Sequence, residues 1–291
     1  MRFSLWVPTF VVFLAGAACL RAEEAKYTLR YQFHPGETLR WNVEQRTQMR
    51  TTVSKSTQDT ETASFSMKAW RVKEVQPDGT ATFEHLVEWI DMRQRLSGRQ
   101  EVRYDSRTDK TAPPGFQDVA TAVGMPLSTI TLSTQGKIVK REKHAVKGSS
   151  SQEGGEITVP LPVDAIAVGH EWRQPCDIDV PLPTGGVKKL KAEQKFKLEG
   201  VQTGVATISI CTQILTPITD PAIEAQVVQR EGQGTVRFDI DAGRVLSQQR
   251  DTDKHVVGFR GDASSLHYVN RFSEEFVVEP VVATVQTAAN K

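Results

Sequence analysis

The second half of this chain restates its first, and that echo limits the folds open to it. Trp70-Arg-Val-Lys-Glu-Val-Gln-Pro-Asp-Gly-Thr-Ala-Thr-Phe83 returns as Phe196-Lys-Leu-Glu-Gly-Val-Gln-Thr-Gly-Val-Ala-Thr-Ile208. Val102-Arg-Tyr-Asp105 returns as Val236-Arg-Phe-Asp239, and Gly36-Glu-Thr-Leu-Arg-Trp41 has a looser counterpart in Gly169-His-Glu-Trp172. The three matches keep their order, which points to two copies of one unit. The unit is β-rich. Leu39, Trp41 and Val43 alternate with polar residues, as do Phe65, Met67 and Ala69, and period two is the mark of a half-buried strand. In Val75-Gln-Pro-Asp-Gly-Thr80 the proline presets one dihedral and Asp-Gly supplies a positive φ. A hairpin pairing about 62–76 with 80–95 follows. Strands of this length must twist and coil. The fold class expected is all-β, mainly antiparallel, with one or two short helices and two related curved-sheet, half-barrel-like units.

The chain divides into five parts on this reading. Residues 1–22 have the form of a secretory signal peptide: Arg2, an apolar run from Leu5 to Leu14, then small residues up to Ala22. Gly16-Ala-Ala-Cys19 also approximates a lipobox, which makes Cys19 the candidate for lipidation and the only route to a membrane tether. Unit 1 spans 26–146. Lys147 to Pro162, with Gly148-Ser-Ser-Ser-Gln-Glu-Gly-Gly155 at its centre, reads as a flexible polar junction. Unit 2 spans 163–278, and 279–291 reads as a frayed tail. In unit 1, Phe116, Val119, Ala120 and Val123 fall at helical spacing between Pro113-Pro-Gly115 and Gly124. That helix is expected to lie across the sheet and cap an apolar opening.

Composition narrows the chemistry. The sequence has 36 basic and 35 acidic residues, and loss of residues 1–22 removes Arg2 and Arg21, leaving 34 against 35. Without a concentrated positive field, nucleic acid is not an expected partner. Cys176 and Cys211 sit on segments read as adjacent strands, and in an exported protein they form either a disulfide or two buried free thiols. No Gly-x-Ser-x-Gly elbow, His-Glu-x-x-His or phosphate loop occurs. The six histidines are scattered singly, so no metal site and no cofactor is expected. Asp239-Ile-Asp241 with Asp251 and Asp253 lacks calcium-loop spacing, and Asp-Ala-Gly-Arg244 reads as a β-turn. Arg260-Gly-Asp262 matches an adhesion tripeptide but is explained as a glycine loop.

The pattern resembles a family of exported bacterial proteins of unknown function. The likeness rests on Tyr27-Thr-Leu-Arg-Tyr31, Pro35-Gly-Glu37, Pro126-Leu127 before Gly136-Lys137, and Pro162-Val-Asp-Ala-Ile-Ala-Val-Gly-His-Glu-Trp172. It covers roughly 26–278 and transfers no catalytic residue. The hairpins are also similar in style to the half-barrels of periplasmic lipoprotein carriers, a likeness of fold that assigns no function.

The reading is of a periplasmic or envelope protein without enzymatic activity, whose concave sheet faces bind an apolar ligand or an extended partner segment. The candidate ligand-facing residues are Trp41, Trp70, Trp89, Phe116, Val119, Val123, Trp172 and Phe196, since binding sites are concave and aromatic-lined. Core packing is the other explanation of these aromatics. The alternative function is a structural or interaction protein of the envelope, with an envelope protein as partner and edge strands as its contact.

Overall fold

The alternating pattern runs much further than the sequence suggests. The computed structural model describes residues 24–144, 158–182 and 185–278. The first half contains β1 (Lys26–Tyr27), β2 (Thr38–Val53), β3 (Ser56–Val75), β4 (Ala81–Leu96), β5 (Val102–Asp105), α1 (Gln117–Ala122), β6 (Pro126–Leu132) and β7 (Ile138–Lys143). The second contains β8 (Ile166–Ala167), β9 (Glu171–Pro181), β10 (Val187–Gln202), β11 (Val205–Ile214), α2 (Pro221–Val227), β12 (Gln233–Asp239), β13 (Arg244–Val257) and β14 (Ser264–Phe276). At roughly 3.3 Å per residue, β3 is about 65 Å long.

All the main strands belong to one open antiparallel sheet, ordered β7-β6-β4-β3-β2-β14-β13-β12-β11-β10-β9, with β5 paired on β4. The fold is thus all-β and curved, as expected. The halves are not separate bodies. β14 returns to pair with β2 along its whole length, from Ser264↔Val53 to Phe276↔Trp41. Each half runs as a meander, and the Trp70 and Phe196 hairpins take the second place in each. The Val102 echo does not follow this path. Val102–Asp105 is the short side strand β5, whereas Val236–Asp239 lies in β12 on the main path.

One face of this sheet is apolar at one end only. Trp41, Trp70, Phe83, Ile130 and Leu132 from the first half meet Phe196, Leu198, Ile208, Val236 and Phe238 from the second in a single core. Between them lies a plug of chain that belongs to no long strand: Leu29, Tyr31 and Phe33, with Val159 and Leu161. An aromatic run crosses it. Trp70 stacks on Phe83 at 4.5 Å, Phe83 on Phe33 at 5.9 Å, Phe33 on Tyr31 at 6.1 Å, and Tyr31 meets Phe238 edge-on at 5.4 Å. The polar junction expected at 147–162 is therefore only part of the story. Residues 145–157 lie outside the described residues, but Thr158, Val159 and Leu161 are buried.

Two glycine turns grip the plug. Gly136 has φ +75, and a Cβ there would sit 2.5 Å from Val159 O and 2.6 Å from Tyr31 Cε2. Gly243 has φ +61, and its Cβ would meet Gln32 at the same short distance of 2.5 Å. Only glycine fits such approaches without strain. Backbone bonds complete the grip: Tyr31 N–H donates to Thr134 O at 2.7 Å and Gln32 N–H to Gly243 O at 3.0 Å. The Tyr31 hydroxyl in turn accepts from Val159 N–H at 3.0 Å.

Residues 1–23 and 279–291, including the signal peptide, Cys19 and the tail, lie outside the described residues. The two remaining cysteines correct an expectation. They form no disulfide, and they sit on β9 and β11 with β10 between. Cys176 pairs with Ala192 and Cys211 with Lys195, three residues apart on β10, so they point to opposite faces of the sheet. No disulfide can span that arrangement.

Tyr31→Phe should cost about 1–3 kcal/mol, because it leaves the buried Val159 N–H unpaired while changing little volume. Gly136→Ala should cost more, combining a backbone clash with an unfavourable φ. Urea unfolding of both variants checks the order.

Candidate functional site

Beyond the aromatic core the same inner face turns polar. Lys68 lies on top of the core, its Nζ 4.5 Å from the ring centre of Trp41 and 5.1 Å from that of Trp70. It donates to Glu274 Oε2 at 2.5 Å. The side chains of the pair are 12% and 4% exposed, so this ion pair forms a floor rather than a rim. Above it is a hollow of roughly 340 Å³. Its wall includes Gln45 of β2, His85 of β4, Arg141 of β7, Ile210 and Thr212 of β11, Gln248 and Arg250 of β13, and Phe272 of β14. Strands from both halves thus face one another across it. Gln229 and Arg230, in the 3-10 turn after α2, complete the lining.

The helix over the inner face is α2, not the one expected at Phe116–Val123. Asp220 caps it, accepting from Ala222 N–H at 2.8 Å, and Pro221 starts it. Ile223 and Val227 bury against Val180 and Leu190, and Val228 against Val256 and Leu266. The signal for it, Asp-Pro followed by apolar residues at i, i+4, is present in the sequence. In α1, by contrast, no residue is buried. Phe116 stacks on Tyr104 of β5 at 6.4 Å, and Gly124 N–H returns to Val87 O at 2.8 Å. Val119 and Val123 are half-buried on that excursion, away from the hollow.

The other expected ligand-facing residues divide in two. Trp41, Trp70 and Phe196 are buried in the core, covered by the protein's own side chains. The void among Tyr31, Phe33, Trp41 and Trp70 is only about 10 Å³, room for one water at most. Trp172 stacks on Phe196 at 5.5 Å, and its Nε1–H donates to Pro160 O at 2.8 Å. Trp89 is on the opposite face. It pairs with Met67, the neighbour of Lys68, and carries the Arg107 guanidinium 4.1 Å over its ring. Hydrogen bonds from Arg107 hold the Asp105 carboxyl down at about 2. Two of the larger hollows lie elsewhere on the sheet. One follows that opposite face between Phe65, Trp89 and Ser247. The other sits at the strand tips, where Arg50–Asp59 and Arg95–Glu61 satisfy each other.

The residue that scattered histidines concealed is His85. It is 8% exposed, and its Nδ1 has no hydrogen-bond partner in the protein. Burial, with Lys68 and Arg141 nearby, pulls its pKa down to about 3. Gln248 Oε1 is likewise buried without a partner. Ser128 is the cross-strand neighbour of His85, yet its hydroxyl makes no hydrogen bond, so the two form no nucleophile–base pair. Among the described residues no three His, Cys, Asp or Glu side chains converge as metal ligands.

No family model and no curated protein matches the chain. Among solved structures, one of lipovitellin, described as lipid-protein interactions in lipovitellin, superposes with a TM-score of 0.48 and 10% identity, over 85% of this chain and 26% of that one. This chain therefore spans about a quarter of that structure. Pseudomonas aeruginosa OpdQ superposes with a TM-score of 0.24 and 8% identity, over 83% of this chain and 99% of that one. At these scores neither likeness carries an argument about activity or ligand.

His85 makes the acid stability of the fold measurable. Its folded pKa lies below the unfolded value near 6.5, so its contribution is complete above pH 6.5. It is lost as pH falls toward about 3. The charged groups that line the hollow with it are Lys68, Arg141, Arg230, Arg250 and Glu274. His85→Asn should lose about 2 kcal/mol less stability than the parent between pH 7 and pH 5. Urea titrations of both proteins at the two pH values test this.

Proposed function

We propose that this protein is a non-enzymatic, exported β protein that binds a small amphipathic molecule in the hollow between the halves of its sheet. One observation carries the reading: the apolar tier of the inner face is packed solid, while the polar tier beside it is left open. A purely apolar ligand finds no room in the first. In the second it would strip water from Lys68, Glu274 and Gln248 without replacing their hydrogen bonds, which is unfavourable. A molecule with one polar end and a short apolar body matches the wall, where Ile210 and Phe272 stand beside those groups. The hollow is at the small end of the range for ligand pockets. Export rests on the signal-like residues 1–22.

Strand addition by an envelope partner is the weaker reading. Both ends of the strand path carry the usual deterrents. β7 reads Ile-Val-Lys-Arg-Glu-Lys, and β9 contains Pro175, Asp177, Asp179 and Pro181.

The fluorescent amphiphile 1-anilinonaphthalene-8-sulfonate tests the proposal. Its emission should rise on adding the folded protein. Thr212→Trp, which fills the hollow and leaves its charges in place, should remove most of that rise with the unfolding midpoint kept. A dark probe, or equal binding by the filled variant, would overturn the reading.

A further inference from the structure

The charges around the hollow do not balance. Lys68, Arg141, Arg230 and Arg250 contribute four positive charges to its lining, and Glu274 alone contributes a negative one. The whole chain is close to neutral by contrast, so this surplus of three is local. It is also concentrated. Strands of both halves bring these groups around one concavity, and concave low-dielectric walls focus a field outward through the opening. Arg141 and Arg250 already hold contacts with their neighbours, so the charge count, not vacant guanidinium atoms, is what matters here.

A second observation comes from the neutral groups. His85, 8% exposed, presents an unpartnered Nδ1 among the lining residues, and Gln248, 5% exposed, an unpartnered side-chain amide oxygen. Buried polar atoms in native proteins have partners. A neutral imidazole can offer an N–H at Nδ1, and a glutamine amide can present either its oxygen or its NH₂ group. Both are therefore able to donate toward a guest that brings acceptors but no protons.

We infer that the polar end of the bound molecule is an oxyanion, a carboxylate or a phosphate ester, seated above the Lys68–Glu274 pair and read by Lys68, Arg141 and Arg250 with His85 and Gln248 as neutral donors. This deepens the amphiphile reading and rests on it. Lys68 is the anchor because it already lies between the aromatic core and the hollow. Its ammonium has three donors, and Glu274 takes one. Arg141 comes from the edge strand β7 of the first half and Arg250 from β13 of the second, so an oxyanion held by both would be held by both halves of the sheet. Glu274 limits the affinity, being the one lining group that repels the guest.

Displacement of the fluorescent probe by octanoate, octyl phosphate, octanol, octylammonium and inorganic phosphate separates the claims. Octanoate and octyl phosphate should bind at least about tenfold tighter than octanol or octylammonium, since the last carries the wrong sign. Arg141→Gln should weaken octanoate about tenfold and leave octanol unchanged. Glu274→Gln should strengthen octanoate several-fold, which a variant that merely loosens the fold would not do. Equal binding of octanoate, octanol and octylammonium overturns the oxyanion and leaves the amphiphile reading standing. Inorganic phosphate binding as tightly as octyl phosphate supports the oxyanion and overturns the amphiphile. Binding of none of the five overturns both.

Discussion

An eleven-strand path of antiparallel strands that does not close has two inner faces to cover, and one plug of chain covers both. Tyr31 and Phe33 lie between Phe83 of the first half and Phe238 of the second, with Val159 and Leu161 beside them. Remove that layer and two apolar surfaces face each other with nothing between. The burial of these aromatics provides the driving force. The glycine turns at Gly136 and Gly243 give it a position, because they admit backbone where a Cβ would collide. One turn from each half thus holds the same insert.

The plug also explains why the hollow is polar. The insert fills only one end of long strands. Past it, the inner face has no apolar partner, and the side chains there change from Trp41 and Trp70 to Lys68, Gln45, Gln248 and Arg250. Lys68 is the hinge of this change, with an aromatic floor beneath its ammonium and a carboxylate beside it. Its charge is compensated from both sides, as a buried ion requires. The core and the candidate site are thus consecutive tiers of one surface rather than separate features.

The aromatics illustrate how far a pattern can be read. Trp41, Trp70 and Phe196 sit at period two with other apolar residues, which places them on an inner face but not against a ligand. What covers them comes from 24–33 and 158–161, segments too short and irregular to announce themselves as core. Trp172 joins them through Pro160. Trp89 falls on the other face because β-bulges in the β3–β4 ladder shift the register. The helix over the inner face was legible in Asp220-Pro221 and the spacing of Ile223 and Val227, but a seven-residue helix in a β chain is a faint signal. His85 was not legible at all, since a lone histidine at an inward position looks like any other.

The sequence by itself determined the class of fold, the long hairpins and the turns between them, because these depend on local alternation and on the conformational freedom of Pro, Asp and Gly. It also determined the chemistry available: near-neutral charge overall and no familiar catalytic motif. Tertiary structure alone decided that Val102–Asp105 and Val236–Asp239 part ways, that Cys176 and Cys211 point apart, and that three cations from distant strands share one hollow with Arg230 of the turn after α2. Those outcomes depend on which strands pair, in what register, and on how the sheet bends around its insert. Contacts between residues more than a hundred positions apart, such as Tyr31 with Val159 or Lys68 with Glu274, are set by the whole sheet, and no local window of sequence contains them.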